Sequence, residues 1–105
     1  MNILFEYLYR DAGNNKKWGE VVFRNDAQTD LPVLNNNLRN SLIDSEFFIA
    51  ENSHLPKLEF DEKNDLDHDW YEFYGITLTP NKPNDILDRD ISEFISTLEE
   101  SSKTM

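Results

Sequence analysis

The chain has 105 residues, no cysteine and a net charge of −11. That is one domain's length, and it excludes disulfides, thiolate nucleophiles and cysteine-based zinc sites. The aromatic supply of two Trp, four Tyr and seven Phe sets it apart from disordered acidic chains.

Residues 2–10 alternate as a strand, with Ile3, Phe5, Tyr7 and Tyr9 on one face and Leu4, Glu6, Leu8 and Arg10 on the other. Residues 11–19 contain Gly13, Asn14, Asn15 and Gly19 and predict a loop or long hairpin connection, because these types tolerate positive φ. Residues 20–25 read as the second strand of an antiparallel hairpin. Thr29 or Asp30 then caps a helix to about Leu42, with Pro32 in its first turn and Leu31, Leu34, Leu38 and Leu42 as its apolar stripe.

Residues 46–51 predict a third strand, and residues 57–60 a further short one. Residues 61–67 are an acidic loop. Residues 68–79 form a long aromatic strand, with His68, Trp70, Glu72, Tyr74, Ile76 and Leu78 on its even face and Tyr71 and Phe73 on its odd face. Gly75 marks a bulge or bend in it. A second helix is expected from Asn84 or Asp85 to about Glu100, carrying Leu87, Ile91, Phe94, Ile95 and Leu98. Asp85, Asp88 and Asp90 suit the dipole at its start. The expected fold class is therefore α+β. It has an antiparallel sheet of about four to five strands and two helices, in the order ββαβ(β)βα. Residues 1–100 form one domain and residues 101–105 a frayed tail.

The charge is uneven. Residues 1–43 balance Glu6, Asp11, Glu20, Asp26 and Asp30 against Arg10, Lys16, Lys17, Arg24 and Arg39, so the whole excess lies after them. A polyanionic surface repels nucleic acid and anionic membranes and complements a basic protein surface. The start of the chain has no basic leader pattern, and no apolar stretch is long enough for a membrane span. A cytoplasmic location is expected.

Three groups of residues can carry chemistry. Arg10, Asp11, Asn14 and Lys16 sit where a strand runs into a Gly/Asn loop, a place to bind an anionic ligand; the phosphate-binding loop spacing is absent. His68 is the more plausible general base or metal ligand of the two histidines. It lies four residues from Glu72, roughly 13 Å apart along a strand but adjacent in a helix. Catalytic candidates are thus His68, Glu72 and Asp11. The acidic run Glu59, Asp61, Glu62, Asp65, Asp67 and Asp69 lacks the EF-hand order and reads as a partner-binding surface. No cofactor or metal is expected.

The strings YLYRDAGN, GEVVF, SLIDSEFFIAE followed by LP, and DHDWYEF resemble a family of small uncharacterised bacterial proteins over about residues 5–73. That resemblance implies a bacterial origin and picks out Arg10, Asp11, Asn14, Glu51, His68 and Glu72 as the family's polar positions. Asn15 and Tyr71 stand where the family pattern has an aromatic residue and a histidine.

Two functions follow as expectations. The first is an acidic interaction module that binds a basic protein surface, as a regulator, an immunity-type inhibitor or an anti-defence inhibitor would. The second is a small hydrolase or ligand-binding domain built on Arg10, Asp11, Asn14, His68 and Glu72. A homodimer paired through the aromatic strand is a third arrangement.

Overall fold

The computed structural model describes residues 1–58 and 70–103. The acidic partner-binding run Glu59–Asp69, the expected strand end at Phe60 and His68 lie outside the described residues. The elements are β1 (Asn2–Arg10), β2 (Lys16–Phe23), α1 (Leu31–Ser41), β3 (Phe47–Ile49), α2 (Ala50–Ser53), β4 (Trp70–Thr79) and α3 (Ile91–Lys103). The class is α+β, with one antiparallel four-stranded sheet in the order β2-β1-β4-β3. No described helix is long and apolar enough to cross a membrane.

All three helices pack on one face of the sheet. Leu34, Leu38 and Leu42 from the α1 region and Ile91, Phe94 and Leu98 from α3 join one cluster with Ile3, Phe5, Tyr7, Tyr9, Val21, Phe23, Phe48, Tyr71 and Phe73; Ala50 of α2 packs against it. Phe5 is its centre. Its ring lies 4.9 Å from Phe94, 5.3 Å from Phe73 and 6.1 Å from both Phe23 and Phe48. Such pairs each contribute about 0.5–1.5 kcal/mol beyond the area they bury.

Several expectations are corrected. The second strand begins at Lys16, not Glu20, because Lys16, Lys17, Trp18 and Gly19 pair with Arg10, Tyr9, Leu8 and Tyr7. The connection shrinks to Asp11–Asn15. No glycine has positive φ; Asn14 supplies the left-handed residue at φ 65°. The third strand is cut to three residues because Ala50–Ser53 turns into α2, which ends on His54 at φ 56°. Lys57 and Leu58 are not in a strand. Among the described residues there are three helices, where two were expected.

β4 departs from simple alternation at its bulge. Glu6 pairs with Gly75 and Tyr7 with Phe73, so Tyr74 has no residue opposite it. A bulge inserts one residue and reverses the side that later residues face. Ile76 and Leu78 therefore pair with Phe5 and Ile3 on the core side, while Trp70, Glu72 and Tyr74 stay on the other.

The last helix starts at Ile91 rather than at Asn84 or Asp85. Residues 84–90 cover the end of the free edge of β2 and the chain just after it. Asn84 N–H donates to the Val22 carbonyl at 3.0 Å, and Val22 N–H donates to Asn84 Oδ1 at 2.8 Å. Covering an edge strand this way removes a template for aggregation. Asp90 caps α3: its Oδ2 accepts the Ser92 N–H at 2.9 Å, and Glu93 Oε1 accepts the Asp90 N–H at 3.2 Å. This is a capping box. Asp90 Oδ1 also accepts the Asp26 N–H at 2.7 Å, tying the helix start to the chain after β2. Asp90→Ala is expected to lower stability by about 1–2 kcal/mol, read from urea unfolding by circular dichroism. α3 continues to Lys103, with Ser101 buried beside Asn52.

Candidate functional site

The sheet face opposite the helices holds the even residues of β1. Arg10 is the last of them. Its guanidinium grips Glu72 of β4 with two bonds, Nε to Oε1 at 2.9 Å and Nη2 to Oε2 at 3.2 Å. The register explains the meeting: Glu72 pairs with Leu8, one pleat from Arg10 on the same face. Nη1 donates to Asn14 Oδ1 at 2.5 Å. The hydrogen bonds to Glu72 raise the Arg10 pKa above its ordinary value; partial burial opposes this, and the charges of Glu72 and Glu46 add to it.

Three expected site residues thus converge: Arg10, Asn14 and Glu72. Asp11 is turned to another task. Its Oδ1 accepts the Asn15 N–H at 2.8 Å, and its Oδ2 accepts Asn15 Nδ2 at 3.1 Å, which closes the hairpin turn. Lys16 sits exposed across from Arg10, and Glu51 sits exposed in the first turn of α2. His68 lies outside the described residues, and so does its separation from Glu72. Among the described residues, no group of three or more His, Asp or Glu side chains is placed to hold a metal ion.

The phenols of the core are structural. Tyr7 Oη donates to the Pro56 carbonyl at 2.6 Å, and Leu58 N–H donates to Tyr71 Oη at 2.7 Å. Burial pushes the Tyr7 pKa well above its ordinary value, and the neighbouring Tyr71 adds to the shift. These bonds pin the segment 55–58 to the sheet. Two clefts are present elsewhere. One of about 360 Å³ between α1 and α3 is lined by Asn37, Asn40 and Ser92; one of about 470 Å³ lies by Met1, Asn25 and Asp30. Neither includes a residue expected from the sequence to act.

Two sets stand out among the described acids after residue 43. Glu72, Asp85, Asp88 and Glu93 pair with Arg10, Arg89 and Arg24, and Asp90 caps a helix. Asp44, Glu46, Glu51 and Glu100 are exposed and form no ion pair among the described residues.

Sequence reading missed one feature of the open face. Trp18 and Tyr74 meet edge to face, with centroids 4.9 Å apart and planes at 89°. They are 52% and 59% exposed. Because β1 lies between β2 and β4, their contact crosses over β1 near Leu8, the partner of Trp18, which is buried. Comparison of the chain with family models, with curated proteins and with solved structures finds no match in any of the three.

Proposed function

We propose that the chain is a small acidic interaction module that docks on a basic protein surface, in the manner of a regulator or of an immunity-type or anti-defence inhibitor. The observation that carries this reading is the outward group of acids. Asp44, Glu46, Glu51 and Glu100 face solvent without an ion pair among the described residues, and six more acids lie between residues 59 and 69. Charge of one sign steers oppositely charged partners together.

The alternative, a hydrolase or anion-binding site at Arg10, Asn14 and Glu72, draws less support. Three of the five guanidinium N–H groups of Arg10 already have acceptors, two of them on a carboxylate. An anion would meet the two remaining N–H groups beside the repelling charge of Glu72.

The test is association kinetics with a basic protein encoded beside this chain's gene, at rising salt. The association rate is expected to fall about tenfold or more between 20 and 300 mM salt, with dissociation changing less. A rate that stays flat over that range overturns the reading.

A further inference from the structure

We infer that the open face of the sheet is a docking surface toward which the outward acids of the second half steer the basic partner, and that it receives an arginine side chain of that partner. This rests on the interaction-module reading above and names its site. The face has three features in adjoining rows. Glu6 and Glu20 stand directly opposite each other on β1 and β2. Across from Glu6 on β4 is Gly75, where a Cβ would meet no atom within 4 Å, so the surface there is open. Next to this row stands the exposed Trp18–Tyr74 corner.

Like charges directly opposed across two strands destabilise a sheet. Neither Glu6 nor Glu20 has an ion-pair partner among the described residues. Arg10 lies farther along β1, past Leu8, and is held by Glu72 and Asn14. The face is therefore short of a cation where it is most acidic. A guanidinium meets each part of the arrangement: its fork accepts two carboxylates, and its plane packs on aromatic rings. The missing side chain at Gly75 leaves room for it. Lysine would satisfy the carboxylates without the planar stacking.

The probe is a capped tetra-arginine peptide, titrated at low salt and followed by amide and indole N–H shifts in NMR. Shifts are expected at Glu6, Glu20, Gly75 and the Trp18 indole. The variant Glu6→Gln/Glu20→Gln, which removes the opposed charges without removing bulk, should fold normally and bind about tenfold more weakly. A variant neutralising Asp61, Glu62 and Asp65 should bind within about threefold of the parent. If the peptide binds equally well to Glu6→Gln/Glu20→Gln and the shifts map elsewhere, this site is overturned while the interaction-module reading stands. If the parent chain binds no cationic peptide, that reading falls and the site falls with it.

Discussion

Arg89→Met is expected to lower the unfolding free energy by about 3–5 kcal/mol. Arg89 and Asp85 have side chains only 6% and 1% exposed. Arg89 donates from Nε to Asp85 Oδ2 at 2.8 Å, from Nη2 to Oδ1 at 2.9 Å and from Nη1 to the Ser53 carbonyl at 2.9 Å. Its guanidinium also stands 4.9 Å from the Phe94 ring centre. One side chain thus joins the turn before α3, the end of α2 and the aromatic core. Methionine keeps much of the bulk but leaves Asp85 buried without its counter-charge. Urea unfolding by circular dichroism gives the loss. Arg89→Met/Asp85→Leu should recover part of it, since the unpaired charge is gone while the Arg89 backbone N–H loses its Asp85 acceptor. If the single and double variants are equally unstable, packing rather than charge explains the effect.

The same pair fixes an acid dependence. Burial alone would raise the Asp85 pKa, but the hydrogen bonds and charge of Arg89 outweigh it, and the net shift is below the ordinary 3.8. Asp90 is lowered in the same way, with the Asp26 and Ser92 bonds outweighing burial. As pH falls, the unfolded chain therefore takes up protons first. The stability from both groups is present above their ordinary value and is lost as the pH falls from there through their lower folded-state values. Arg89→Met should flatten the part of this loss that belongs to Asp85.

Gly19→Ala is expected to cost about 1–3 kcal/mol through overpacking. Gly19 is not a turn residue; it faces Tyr7 across β1 and β2. A Cβ there would come within 2.7 Å of Tyr7 Cζ and 3.0 Å of Tyr7 Oη. The ring cannot give way freely, because Tyr7 is fully buried and its hydroxyl is bonded to Pro56. Strain should therefore appear at Pro56 as well. Tyr7→Phe in the Gly19→Ala background tests this: it removes the hydroxyl contact and should recover part of the loss in the same urea assay. No loss from Gly19→Ala would show that the strands can separate to admit it.

The sequence made the class, the first strand and the first helix legible, because both faces of β1 and the Leu34–Leu38–Leu42 stripe carry strong periodic signals. It hid what depends on distant pairing. Lys16–Gly19 resembles a loop in composition and becomes a strand only because β1 offers the partners. The faces of β4 were misassigned after Tyr74, since a bulge has no local signature beyond the neighbouring Gly75. The acidic cluster drew the start of the last helix too early, although Asp90-Ile91-Ser92-Glu93 carries a capping-box pattern. At the candidate site, the residue types of Arg10 and Glu72 stood out, but their partnership spans 62 positions. The Trp18–Tyr74 corner was invisible for the same reason, one ring having been placed in a loop.

The segment that covers the end of β2 has a consequence for synthesis. The N-terminal hairpin emerges first, and its loop closes locally. Among the described residues, the end of its outer edge is covered by Asn84, Asp90 and Ile91, through bonds to Val22, Asp26 and Arg24. On the ribosome that edge stays open until most of the chain has been made. The final compaction then waits on contacts between segments 62 to 64 residues apart, which are slow to form because a long loop must close before they bring any gain. The chain completes its sheet's protection last, when α3 docks.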